Sequence, residues 1–534
     1  MSGKSFVKGA VVLSIAGILA KCLGALYRIP FGTIVSEDCL ALYSMVYPIY
    51  NLLMALSTAG IPLAISKLVA EYEEQGRSGM SMRILKVSLL LLSAVGICVG
   101  LFIFVNAQWL ASHVFADERV VWSLRAIAPA MIFSCMQAVF RGYFQGLQQM
   151  VPTALSQITE QFVRVGIIIA AMFALLPYGD AIVSAGASAG ASVGGAAALL
   201  LMLCIFWRHR QKNQAIALSD EDRAERNRQL IGKVLALAIP ISIGSLALPI
   251  MQSIDSLLVV PRLEAGGMGH GEAMAWFAYL GGCVQPILNL PFMLTTAIAA
   301  SLVPNISEAL AMGEKGKVTE TFANAMQLAI LIVLPATVGL MTLAWPIIDL
   351  LYPTKPDAGL PMFWSAAVVL MVGLYQISAA TLQGMGKAML PMYSLLLGAA
   401  IKVGLTFVLT AMPLFGIRGA ALASVIGFGV AACNNIWQVS RRIGWDWLNL
   451  QYHVVKPIIS VAAMAVLVLG SYAGCFALLH SNGLATLLSI AIGGCAYFVV
   501  LLAIGGVSLE IIRKVPKVGN KLAALLLKLK LMKE

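Results

Sequence analysis

Fourteen apolar segments limit what this chain can become. They lie near 6–35, 40–66, 87–110, 121–143, 151–177, 183–207, 234–260, 274–302, 322–348, 361–383, 391–413, 417–440, 455–479 and 484–507. About 20 apolar residues in a helix cross a bilayer core. Inside lipid the backbone must satisfy its own hydrogen bonds, and a helix does this within one segment. The connections are short, and none could hold a soluble catalytic domain. Of the 534 residues, 60% are hydrophobic and 11% charged, and the mean hydropathy is +0.89, far from a soluble domain. The expected fold is an all-α polytopic membrane protein with fourteen transmembrane helices.

Charge placement gives the expected topology. The formal charge of +12 does not indicate nucleic acid, because the basic residues concentrate in alternate loops. Lys4 and Lys8 precede the first segment. Lys67, Arg77, Arg83 and Lys86 flank the second connection. Seven basic residues between Arg208 and Lys233 follow the sixth segment. Arg441, Arg442 and Lys456 follow the twelfth, and the tail carries seven more. Loops on the other side hold few, such as Arg119, Arg262 and Lys355. Both termini are expected in the cytoplasm. The first segment is too long and too charged for a cleaved signal peptide, so it reads as a retained span. The nine cysteines form no CxxC pair and read as small packing residues rather than disulfides or metal ligands.

The chain repeats itself. Gln145-Gly146, Pro152 and Arg164 are answered by Gln383-Gly384, Pro391 and Lys402, at offsets of 238, 239 and 238. Gln75-Gly76-Arg77 is answered by Lys315-Gly316-Lys317. Gly186, Gly190 and Gly194 are answered by Gly419, Ala423 and Gly427. Agreement over several elements marks an internal repeat. The expected organisation is an N-lobe over 1–208, a cytoplasmic linker over 209–233 and a C-lobe over 234–441. Two further helices cover 442–508, and a basic tail covers 509–534. The lobes are two pseudo-symmetric six-helix units, related by an axis along the membrane normal.

Charges inside the spans are the candidate functional residues, because an intramembrane ion is costly unless it meets water or a counter-ion. Lys21 and Arg28 are seven residues apart and share nearly one helix face, about 10 Å apart along the axis. Arg164 and Lys402 each fall roughly 18–20 Å into their spans at the helical rise. A wall of such cations suits phosphate or carboxylate. Glu160 stands four residues before Arg164, so an i,i+4 ion pair is the competing, structural reading. Asp255, late in the seventh segment, reads as charge balance or as part of a coupling-ion site.

Other features carry less chemistry. The glycines of the sixth segment read as a close-packing face. Prolines such as Pro48, Pro62, Pro249, Pro291 and Pro304 suit either bending or static kinks. The five histidines are scattered. Asp220-Glu221-Asp222 reads as a solvated patch. The tail from Lys517 to Lys533 is amphipathic and is expected on anionic membrane lipids.

The stretches SIAGILAKCLGALYRIPFG in the first span, YPIYNLLMALSTAGIPLAISKLVAEY at 47–72 and QGLQQMVPTALSQITEQFVRVG at 145–166 carry a family likeness. With them the chain resembles the stage V sporulation protein B and MurJ branch of the multidrug/oligosaccharidyl-lipid/polysaccharide exporter superfamily. The resemblance implies a flippase for polyprenyl-pyrophosphate-linked glycans, above all the peptidoglycan precursor lipid II, working by alternating access. It implies a two-lobed fold with a cationic cavity, and a lipid-tail groove formed by the last two spans. Lys21 stands where the branch carries a first-span arginine, and Arg28 lies beside a second basic position. Met54 and the stretch Gln285 to Asn289 stand where the branch carries further arginines, and Arg164 and Lys402 are expected to supply that charge. The expected partners are the glycolipid, anionic lipids and a coupling ion or the membrane potential. No cofactor, metal or catalytic residue is expected. The rival readings are a multidrug or cation antiporter of the same superfamily, which would place carboxylates at its centre, and a flippase for another polysaccharide repeat unit. A membrane transferase would need acidic metal-binding clusters on large loops, and a non-transporting scaffold would not need the intramembrane charges.

Overall fold

The structure, a computed structural model, describes residues 13, 16, 17, 19, 20, 23, 24, 27–58, 60–212 and 227–506. Lys21, the acidic patch at 220–222 and the tail from Lys517 lie outside the described residues. The described residues form helices and no strand, so the chain is all-α. Twelve helices among them are long and apolar enough to cross a membrane. The first of the fourteen sequence segments falls largely outside the described residues. The seventh is two helices of 19 residues each, Asn227–Ser245 and Ala247–Ala265.

The chain divides into two compact units, 1–261 with 269–282, and 262–268 with 283–534. In the first unit we label α1 (Arg28–Ile34), α2 (Glu37–Thr58), α3 (Ile61–Glu74), α4 (Ser78–Val105), α5 (Val120–Gly146), α6 (Met150–Ala174) and α7 (Asp180–Lys212). These are followed by α8 (Asn227–Ser245), α9 (Ala247–Ala265) and α10 (His270–Phe277). Helix α5 is the hub: α2, α3, α4 and α7 all pack on it, and α6 lies along α7. The core between α3, α4, α5 and α8 is built from Ile65, Leu68, Ile84, Phe140, Phe144 and Val234 among others. The second span is divided between α2 and α3 at Gly60, and Pro62 falls in the first turn of α3, where its missing N–H costs no intrahelical bond. The Gly60 amide freed there donates to Ser242 Oγ of α8 at 3.0 Å.

The second unit contains α11 (Gln285–Ala311), α12 (Lys315–Thr342), α13 (Ala367–Gly384), α14 (Met389–Leu409), α15 (Ile417–Ile443), α16 (Lys456–Leu479) and α17 (Asn482–Ala503). Its pairings repeat those of the first. Helix α13 takes α11, α12 and α15, and α14 lies along α15. Phe322 and Trp447 meet edge-to-face in its core, with ring centroids 4.8 Å apart. Helices α16 and α17 pair with each other, and α16 also packs on α12.

The repeated Gln-Gly step has a packing reason in both units. A Cβ on Gly146 would stand 2.8 Å from the Ser66 carbonyl oxygen, and one on Gly384 would stand 2.9 Å from that of Val303. Glycine lets α5 close on α3, and α13 on α11, at backbone distance. Outward faces are apolar: Leu90, Leu101, Phe102 and Phe162 are each more than half exposed. Apolar surface on this scale needs lipid against it.

At the ends of the spans, a charged knot joins three elements of the first unit. Arg119 binds Asp117 at 2.8 Å and Asp38, at the start of α2, at 2.6 Å. His270, opening α10, lies 3.4 Å from Asp117. Burial would raise the pKa of Asp117, but the hydrogen bonds and charge of Arg119 outweigh it and hold the carboxyl below its ordinary value.

Candidate functional site

Three arginines and one glutamate form a connected network inside the first unit. Helix α6 carries Glu160 and Arg164 one turn apart, and the Arg164 guanidinium binds Glu160 Oε1 at 2.8 Å. Glu160 Oε2 accepts a second charge-assisted bond, at 2.9 Å, from Arg141 of α5. Arg141 in turn donates to Ser156 Oγ at 2.9 Å and to Gln137 Oε1 at 2.6 Å. Gln137 closes the chain on the Gly195 carbonyl at 2.7 Å. Buried charges are tolerated when they are paired and hydrogen-bonded in this way.

The remaining cation arrives from α1. The Arg28 guanidinium lies over the Tyr47 ring, 5.1 Å from its centroid. The Tyr47 hydroxyl accepts a hydrogen bond from Arg164 Nη1 at 3.2 Å. One tyrosine therefore meets two cations, one through its π face and one through its oxygen. Tyr47 stacks on Tyr43, with centroids 5.6 Å apart, and the Tyr43 and Tyr27 hydroxyls are hydrogen-bonded at 2.7 Å. Arg28 and Tyr47 are partly exposed, whereas Arg164 is only 5% exposed. Its Nε has no hydrogen-bond partner among the described residues. Among the described residues this network sets three guanidinium groups against one carboxylate, an excess of two positive charges.

The glycine face of α7 positions this network. A Cβ on Gly190 would stand 3.0 Å from the Arg164 carbonyl oxygen, and one on Gly194 would stand 2.6 Å from that of Glu160. The small residues therefore let α7 press on the turn of α6 that carries both charges. A methyl group there has nowhere to go without parting the helices, and overpacking of this kind costs about 1–3 kcal/mol. Gly194→Ala is expected to lower the melting temperature of the purified protein. Gly166→Ala on α6, where a Cβ meets nothing within 4 Å, should leave it unchanged. Equal melting of both variants would show that the close approach is not needed.

The structure brings together three of the residues singled out in the sequence: Arg28, Glu160 and Arg164. The i,i+4 pair of Glu160 and Arg164 is present, and it is half of a larger array. Lys402 lies on α14 of the second unit and is 1% exposed. Asp255 is partly buried on α9. Sequence reasoning missed Arg141 and Tyr47. A signal for Tyr47 was present: Tyr43, Tyr47 and Tyr50 recur at i, i+4 and i+7, which puts three phenols on one helix face.

Comparisons with known proteins agree with this architecture. The model of the family described as "Polysaccharide biosynthesis protein" matches residues 6–310. The lipid II flippase MurJ of Bacillus subtilis is 27% identical over 93% of this chain and 95% of its own. Stage V sporulation protein B of the same organism is 28% identical over 97% and 99%. Among solved structures, a MurJ lipid II flippase in an inward closed conformation has a TM-score of 0.66 at 14% identity, covering 92% of this chain and 98% of its own. An inward-facing multidrug resistance transporter of the MATE family has a TM-score of 0.67 at 17% identity, covering 82% and 98%. At these identities the structures speak for the fold alone.

Proposed function

We propose a flippase, starting from the fact that the chain belongs to the polysaccharide biosynthesis protein family. Its relatives include one named a lipid II flippase, and its structural neighbours include a MurJ lipid II flippase and a multidrug resistance transporter of the MOP superfamily. The substrate proposed is a polyprenyl-pyrophosphate-linked glycan, with lipid II first because a relative matched over nearly its whole length carries that name. The observation that carries the reading is the convergence of Arg28 and Arg164 on Tyr47, with two positive charges in excess.

In this reading Arg28 contacts the pyrophosphate, since a guanidinium can bind phosphate oxygens two at a time. Arg164 acts through Tyr47, holding the hydroxyl so that the ring faces Arg28. Glu160 fixes Arg164 and Arg141 and balances part of their charge. Lys21, by its place on the first span, and Lys402, by its place in the repeat, are assigned to the same anionic headgroup. Asp255 is assigned to charge balance or to a coupling ion. The glycan crosses by alternating access while its polyprenyl chain stays in lipid. The membrane is the bacterial cytoplasmic membrane, with both termini in the cytoplasm. The rival is a cation antiporter. It is disfavoured because Glu160 is already bound by two arginines.

The test is rescue of a bacterial strain depleted of its own lipid II flippase. Wild-type protein is expected to restore growth, and Lys21→Ala and Arg28→Ala to fail at normal membrane levels. Failure of wild type would remove lipid II in favour of another polyprenyl-linked glycan. Rescue by both alanine variants would remove the cationic site.

A further inference from the structure

Where α4 ends and α5 begins, one arginine stands among exposed apolar side chains. Arg125 comes shortly after the start of the candidate span Val120–Gly146, about 7–8 Å along the axis at the helical rise. It is partly exposed. Its guanidinium carbon lies 5.9 Å from the ring centroid of Phe104, the last residue but one of α4. It lies equally far, 5.9 Å, from the ring centroid of Trp122 on its own helix. Phe104 and Trp122 are each about half exposed, and Leu101, Phe102 and Val105 of α4 are more so. The short helix Ala107–His113 follows α4 and carries Trp109, also half exposed. Tryptophans at the end of a span mark the level where lipid headgroups meet water.

A cation at this depth is costly unless it meets a counter-charge or water. The two rings lend their π faces but offer no oxygen to its N–H groups. The Arg125 Nε has no hydrogen-bond partner among the described residues, and no described carboxylate is paired with the guanidinium. The acidic residues before α5 do not serve it. Asp117 is held by Arg119 at 2.8 Å, and Glu118 forms no ion pair among the described residues. Arginine can lay its stem along apolar surface and carry its charge to the headgroups, where its planar fork fits phosphate oxygens two at a time. An anionic phospholipid supplies the missing charge and also covers the exposed rings and leucine. Inorganic phosphate supplies the charge alone, and a zwitterionic lipid brings a cation of its own. We propose that Arg125 binds the phosphate of an anionic phospholipid at the membrane interface, with Phe104 and Trp122 flanking the guanidinium and packing on the glycerol and first acyl carbons.

The second unit supplies an internal contrast. The Arg262 guanidinium carbon lies 3.8 Å from the Phe407 ring centroid, and its Nε donates to the Phe407 carbonyl at 2.8 Å. That arginine has both a ring and a backbone oxygen. Arg125 has two rings and no such oxygen on its Nε, so the same ligand is not assigned to Arg262.

The experiment is photolabelling of the full-length protein in phosphatidylcholine nanodiscs. The probe is a trace of phosphatidylglycerol with a diazirine near the start of one acyl chain, or phosphatidylcholine with the same diazirine, and adducts are mapped by peptide mass spectrometry. Wild type is expected to be labelled within 101–125 by the phosphatidylglycerol probe in preference to the phosphatidylcholine probe. Arg125→Gln should lower that labelling about tenfold or more, the scale of losing a charge-assisted contact. Arg125→Lys should keep part of it, and Arg262→Gln should leave it unchanged. Melting of each variant checks folding, and if Arg125→Gln does not fold, the comparison of the two probes on wild type decides alone. Unchanged labelling of 101–125 in folded Arg125→Gln would overturn the proposal. So would equal labelling by the two probes, or loss of the labelling in millimolar inorganic phosphate.

Discussion

Glu160→Ala is expected to destabilise the first unit by about 3–5 kcal/mol, the cost of breaking a buried ion pair from one side. Glu160 accepts from Arg164 at 2.8 Å and from Arg141 at 2.9 Å. Its removal leaves two guanidinium groups facing each other with no carboxylate between them. Arg164, at 5% exposure, has little water to turn to. Glu160→Gln should fall between alanine and wild type, because it keeps the shape and an acceptor but loses the charge. Thermal melting in detergent reads the effect, with the Glu160→Ala transition well below that of wild type. A Glu160→Ala protein that melts with wild type would mean that the network contributes no net stability.

Arg28→Ala is expected to reduce substrate binding roughly 10–150-fold, from about 1.5–3 kcal/mol for one charge-assisted contact. Folding should change little, because Arg28 sits at the start of α1 with its side chain partly exposed. Tyr47 separates the two cations it serves. Tyr47→Phe keeps the ring beneath Arg28 and removes the hydroxyl that accepts from Arg164, so it should cost less than Arg28→Ala. Tyr47→Ala removes both and should approach Arg28→Ala. Arg28→Lys should keep part of the activity, since the charge remains while the planar fork is lost. Transport by reconstituted protein orders the series. Equal transport by Tyr47→Ala and wild type would show that the tyrosine is only packing.

Much of the fold was legible because its determinants are local. Long apolar runs dictate helices, and the Gln-Gly, proline and basic positions repeat at offsets of 238 or 239 residues. The glycines of α7 were readable as a packing face, but not what they pack on. Only the folded chain sets Gly194 against the Glu160 carbonyl. The site was half legible for the same reason. Glu160 and Arg164 are four residues apart, so helical geometry alone pairs them. Arg141 is 19 residues from Glu160, across a helix turn that spacing cannot resolve. Tyr47 is 117 residues from Arg164, and a tyrosine among apolar residues reads as core until its partners arrive. A bend at Pro62 in the second span was legible, while the bond from the Gly60 amide to Ser242 was not.

The most direct test of the cationic site is mass spectrometry of the lipids that co-purify with wild type and with Arg28→Ala. The expected result is a polyprenyl-pyrophosphate glycolipid on wild type, reduced about tenfold or more on Arg28→Ala, with ordinary phospholipid equal on both. A wild-type protein that carries no such glycolipid, or an Arg28→Ala protein that carries as much of it, would contradict the assignment of these arginines to a pyrophosphate.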